Sequence, residues 1–178
     1  RARLDALAQW AVAELRTHAV RMAARSAAGF VRDGHGDLHL GNIVAPDGAP
    51  VPFDAIEFNA GLRCIDVIND IAFTFMDLFD HALPRLAWRL IGAYVEHTGD
   101  HDGLALLRYY AVYRALVRAK IALIRQQQAH VAPHLRLHAQ QSFAQYLALA
   151  ERLCAPSPRV LVLMSGLSGS GKSTVAQR

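Results

Sequence analysis

The stretch that most constrains this chain is "HGDLHLGNIVAPDGAPVPFD", residues 35–54. It lies between long Ala- and Leu-rich segments with helical spacing. Two short apolar runs, "NIV" and "VPF", flank "APDGAP", whose Pro, Asp and Gly favour a reversal of the chain. That pattern predicts a β-hairpin inside a helical protein. Polar residues are concentrated just before and just after it.

The surrounding segments read as helices. Residues 3–28 carry Leu4, Leu7, Trp10, Ala11 and Leu15 at helical spacing, with Gly29 as the stop. Asp66 is placed to N-cap a helix through "VINDIAFTFMDLF". Further helices are expected over 84–97, with Pro84 in the first turn, over 103–128 and over 134–153. The segment "APSP" at 155–158 reads as a linker. After it, "VLVLM" is expected to be a short buried strand leading into "GLSGSGKST". The fold class expected is α+β, mostly α. The domain reading is 1–154 for a helical lobe with one hairpin, 155–158 for the linker, and 159–178 for the first strand and phosphate loop of an α/β domain. The chain opens on Arg1 and stops soon after the phosphate loop, so it is expected to be a piece of a longer protein.

Charge and cysteine usage narrow the class. Net charge is +4 and 17 of the 19 basic residues are Arg, scattered rather than in a block. This fits an anionic small substrate better than nucleic acid. Cys64 and Cys154 stand in no metal or redox spacing, which suits a reducing cytoplasm. Apolar runs are broken by Arg, Asp or His well before membrane-spanning length, so no membrane partner is expected.

Two sets of residues carry chemistry. In the C-terminal segment, Gly166, Gly171, Lys172 and Ser173 match G-x-x-x-x-G-K-[ST], with Gly169 and Thr174 inside the same loop. Glycines let backbone N–H groups turn toward phosphates, the lysine reaches the outer phosphates, and the Ser hydroxyl coordinates magnesium. In the central segment, His35, Asp37 and His39 at i, i+2 and i+4 would share one face of a strand, as metal ligands of a hydrolase. Asp37 and Asn42 instead have the D-x-x-x-x-N spacing of a kinase catalytic loop. The order that follows separates the two readings. A hairpin and then Asp54 is the order expected of a phosphotransferase, and a hydrolytic metal site predicts no such order.

"HGDLHLGN", followed by "PFDAIEFNAGLRCIDVINDIAFTFMDL", resembles the C-terminal lobe of the aminoglycoside phosphotransferase family. It is especially similar to bacterial proteins in which such a kinase-like lobe precedes a P-loop ATP-binding domain. The resemblance implies ATP and magnesium as cofactors and transfer of the γ-phosphoryl group to a hydroxylated small molecule. It implies Asp37 as catalytic base and Asn42 and Asp54 as magnesium ligands. His35 and His39 support the loop, and Asp70 ties it to the next helix. Residues 54–56 read "DAI", without the glycine of a protein-kinase D-F-G. The glycine-rich cover, strand lysine and partner Glu of a kinase N-terminal lobe are not in these residues. Turnover is therefore expected of the longer protein rather than of this stretch alone. A rival reading makes the lobe a non-catalytic sensor that regulates the P-loop ATPase. No residue specifies the acceptor.

Several features read as structural. His130, His134 and His138 are expected on an exposed polar face, and Tyr109, Tyr110 and Tyr113 beside Arg108, Arg114 and Arg118 on a core helix. Asp77 and Asp80 read as ordinary helix-surface charges. Glu57 and Asn59 face either substrate or local hydrogen bonds.

Overall fold

The computed structural model describes residues 1–128, 132–156 and 162–176. Helices dominate. They are α1 (Ala2–Ala27), α2 (Ala60–Arg63), α3 (Val67–Asp80), α4 (Pro84–Thr98), α5 (Leu104–Gln127), α6 (Pro133–Cys154) and α7 (Lys172–Ala176). Two small antiparallel sheets interrupt them. Strand β2 (Ile43–Val44) pairs with β3 (Val51–Pro52), which is the expected hairpin, its turn passing through Gly48 at φ +79°. Strand β1 (Val31–Asp33) pairs with β4 (Cys64–Asp66), a pairing the sequence pattern did not suggest because both strands are only three residues long. The α+β, mostly α class stands.

The core is built on α3. Ile68, Ala72, Phe73 and Met76 are fully buried, and α5, α4 and α6 pack around them. Helix α5 brings Ala111, Ala115, Ala119 and Ala122 to its buried side at helical spacing. Small side chains there let neighbouring backbones approach closely. Burying the apolar side chains of α3 contributes roughly 1.5–3 kcal/mol for each large one.

One buried ionic network fixes the entry to α3. Arg25, at the end of α1, donates to both oxygens of Asp66 at 2.7 and 2.9 Å and to both of Asp100 at 2.6 and 2.7 Å. Asp66 also accepts the Ile68 N–H at 3.1 Å, so it caps α3 as its position in the sequence predicts. Tyr94 adds a hydroxyl to Asp100 at 2.6 Å. Burial works against the charge on Asp100, but Arg25, Tyr94 and the Gly103 N–H outweigh it and hold the carboxyl down at about 2. One arginine thereby joins α1, the start of α3 and the turn before α5.

The expected strand at "VLVLM" is a difference. Val160 and Leu161 lie outside the described residues, while Val162, Leu163 and Met164 form no strand and are exposed. A strand needs a neighbour for its backbone groups and a face to cover it. Among the described residues nothing supplies either. Ala155 and Pro156 of the expected linker follow α6 without regular structure, and 157–158 lie outside the described residues. No described helix is long and apolar enough to cross a membrane.

Candidate active site

The loop from His35 to Asn42 is held by backbone hydrogen bonds to side chains far away in the sequence. On α3, Asp70 accepts the His35 N–H at 2.7 Å and the Gly36 N–H at 2.9 Å. One turn on, the Thr74 hydroxyl donates to the Leu38 carbonyl at 2.7 Å. A turn further, Asp77 accepts the Leu40 N–H at 2.8 Å. Arg114 grips the same loop from α5, donating to the Gly36 carbonyl and to Asn69, each at 2.8 Å. Its guanidinium also lies 4.8 Å from the Phe73 ring centroid. Burial lowers the Arg114 pKa.

Asp77 overturns the surface-charge reading made from sequence. It is 2% exposed, and its second oxygen has no hydrogen-bond partner among the described residues. The residue serves the loop, not solvent. Its signal was present: Asp70, Thr74 and Asp77 fall at i, i+4 and i+7 of a helix that, Asn69 and the terminal Asp80 apart, is otherwise apolar. A helix apolar on every other face is buried, so polar residues along one stripe need buried partners.

Gly36 is required by this path. Its φ is +81°, and a Cβ there would stand 2.8 Å from the Leu62 carbonyl oxygen. A side chain would meet both backbone strain and a clash with main chain.

The two loop histidines are held in defined tautomers. His35 Nδ1 accepts the Asp37 N–H at 3.3 Å, so Nε2 carries the proton and donates to the Phe53 carbonyl at 2.8 Å. His35 thus ties the loop to the end of the hairpin. His39 Nδ1 accepts the Gly41 N–H at 3.1 Å, which leaves Nε2–H facing Asp37 Oδ2 at 3.5 Å. His39 is the main reason the Asp37 carboxyl lies below its ordinary pKa. Burial opposes this, and Arg118 and Arg114 add smaller favourable charge.

Asn42 is buried and points its amide at Asp37, donating to the carbonyl at 3.1 Å and to Oδ2 at 3.4 Å. Hairpin closure then delivers Asp54. Phe53 N–H donates to the Asn42 carbonyl and Ile56 N–H to the His35 carbonyl, both at 3.0 Å. Asp54 itself has φ +60°, a left-handed conformation that a side chain disfavours. Asp37, Asn42 and Asp54 line one open cleft of about 1020 Å³, with Glu57 also on its wall. Their oxygens are the hard donors that magnesium prefers. Asn59 serves a local bond, capping α2 through the Gly61 N–H at 2.9 Å.

The glycine-rich loop has a different structure. Gly166, Gly169 and Gly171 all have positive φ, and Lys172 begins α7. The Lys172 ammonium donates to the carbonyls of Gly166 and Leu167 at 2.8 and 2.6 Å, and approaches the Ser170 hydroxyl at 3.4 Å. Ser173 and Thr174 are exposed. His134 and His138 are exposed as expected, and His130 lies outside the described residues.

Comparison with known proteins gives relatives without an assigned activity. Over 158 residues, 89% of this chain, it is 34% identical to uncharacterized proteins of Mycobacterium bovis and of two Mycobacterium tuberculosis strains, CDC 1551 and H37Rv. The chain spans about 30% of the length of these relatives. No family model and no solved structure matches.

Proposed function

We propose that this chain is the acceptor- and metal-binding lobe of an ATP- and magnesium-dependent phosphotransferase, of the kinase-like kind that its central segment resembles. The acceptor is a hydroxylated small molecule. The observation that carries this reading is the convergence of Asp37, Asn42 and Asp54 on one cleft, with the hairpin between them setting the separation.

Bound ATP and magnesium supply a transferable γ-phosphoryl group whose charge is already partly screened. The chain's own residues do the rest by position and charge. Asp37 takes the acceptor hydroxyl as a hydrogen-bond donor and aligns it for in-line attack. His39 keeps that carboxylate ionised and so free to accept the hydroxyl proton as the acceptor oxygen bonds to the γ-phosphorus and the bond to the departing ADP oxygen breaks. Asn42 fixes the Asp37 carboxyl through its amide and offers its own oxygen as a metal donor. Asp54 is the second donor. The strained backbone at Asp54 is consistent with a residue whose placement matters more than its comfort.

A hydrolase using His35, Asp37 and His39 as ligands has less support. Both ring nitrogens of His35 are engaged within the chain, and the three residues lie on a loop rather than on one strand face.

The second part of the proposal is that "GLSGSGKST" belongs to a separate nucleotide-binding unit, for which Lys172 and Ser173 are the phosphate and magnesium residues. The sensor alternative assigns all ATP turnover to that unit. Acceptor-dependent ADP formation by the intact protein tests the main reading. Asp54→Asn is expected to raise the magnesium concentration needed for half-maximal rate by about tenfold or more. An unchanged magnesium requirement rejects Asp54 as a metal donor.

A further inference from the structure

We propose that the acceptor carries a negative charge, a phosphate or a carboxylate, received by Arg118 and Arg125 of α5. The inference rests on the phosphotransferase reading and narrows it to a substrate class.

Arg114, Arg118, Ile121 and Arg125 stand at i, i+4, i+7 and i+11, so they form one stripe along α5, and all four line the cleft that holds Asp37. Arg114 is spent on the loop, as described above. Arg118 and Arg125 are not spent. Arg118 donates only to the Tyr146 hydroxyl, at 3.2 and 3.1 Å, and lies 5.3 Å from that ring's centroid. A neutral phenol orients a guanidinium without neutralising it. Among the described residues, neither Arg118 nor Arg125 forms an ion pair.

The space beside them adjoins the cleft through shared walls. A second hollow of about 420 Å³ is bounded by Arg118, Ile121, Arg125, Leu135 and Tyr146. Arg118, Ile121 and Arg125 line both spaces. The helical rise places Arg125 roughly 10 Å beyond Arg118, away from Asp37. The combination offers a hydroxyl position at Asp37, an apolar wall, and two guanidinium groups at increasing distance.

Nearby carboxylates do not cancel this charge. Asp77 and Asp80 line a hollow with Arg118, but among the described residues neither forms an ion pair with it: Asp77 accepts the Leu40 N–H and Asp80 the Gln145 amide at 2.9 Å. Asp37 and Asp54 belong to the transfer site. Within the cleft that holds Asp37, Glu57 is the one other carboxylate facing the two arginines. Guanidinium forks match carboxylate and phosphate oxygens in pairs, whereas an ammonium-bearing acceptor would meet like charge.

The test uses the intact protein, ATP and matched acceptors: glycerol phosphate and lactate, against glycerol and propanediol, and against aminopropanediol. Expected is a kcat/KM at least about tenfold higher for the phosphate or carboxylate member than for its neutral partner. The better of the two anions identifies which group the stripe receives. Arg118→Gln and the exposed Arg125→Gln should each raise KM for that anion by about tenfold while KM for ATP moves less than about twofold. Arg118→Lys should restore part of the loss. Equal or better use of the neutral or amine-bearing acceptors overturns the inference. So does Asp37-dependent turnover that uses no anionic acceptor, or an arginine effect confined to KM for ATP. If acceptor-dependent phosphoryl transfer survives Asp37→Asn, the phosphotransferase reading itself fails. If turnover depends on Asp37 but ignores acceptor charge, only the arginine assignment fails.

Discussion

The two motif-bearing loops of this chain are built in opposite ways. The loop at residues 35–42 is anchored by Asp70, Thr74, Asp77 and Arg114, partners 34 to 78 residues away. The loop at 166–174 is closed by its own lysine on carbonyls five and six residues back. The first loop's shape is a property of the folded lobe. The second's is a property of its local sequence. A chemical site held by long-range bonds is positioned to the precision of the core, because packed helices deform little. A site held by local bonds keeps its shape and depends on its own glycines.

The largest expected effect breaks the scaffold behind the first loop. Arg25→Ala leaves Asp66 and Asp100 buried without their cation, and should cost about 3–5 kcal/mol in urea unfolding. A loss under about 1 kcal/mol would mean that the network contributes little to the entry of α3. Next, Asp70→Ala strands two backbone N–H groups and should cost about 2–4 kcal/mol. Thr74→Val removes one bond to Leu38 and should cost about 1 kcal/mol. That descending order is the signature of long-range support.

Acid sharpens the same contrast. The Asp100 carboxyl is held at about 2, whereas an unfolded aspartate titrates near about 4. A depressed folded pKa gives stability that is complete above the unfolded value and is lost as pH falls through the folded one. Asp100→Asn should therefore be less stable than the natural chain at neutral pH. The two should converge as pH falls from about 4 to about 2, read by circular dichroism. A gap independent of pH would reject the ionic role. Smallest of all, Lys172→Ala should change the stability of the lobe by less than about 0.5 kcal/mol, since it touches only its own loop.

Legibility in the sequence follows the same division. The hairpin could be read because its turn residues are local, and the helix ends because Asp66, Pro84 and Gly29 act within a turn or two. The β1–β4 pairing could not, since two three-residue strands separated by thirty residues carry no period. Asp37, Asn42 and Asp54 could be named from spacing, but that they line one cleft depends on hairpin closure. Asp77 was misread because charge usually signals surface, and only its place in the Asp70–Thr74–Asp77 stripe reveals otherwise. The role of Arg114 was invisible: its partner, Gly36, is 78 residues away. "VLVLM" read as a strand on composition, but composition cannot supply a neighbouring strand.

The central claim is that phosphoryl transfer belongs to the loop held by α3 and α5. The direct measurement is acceptor-dependent phosphoryl transfer by the intact protein, with Asp37→Asn and Lys172→Ala compared side by side. The account predicts a fall of about 10²–10⁴-fold for Asp37→Asn and less than about threefold for Lys172→Ala. Transfer that survives Asp37→Asn and disappears with Lys172→Ala would contradict it.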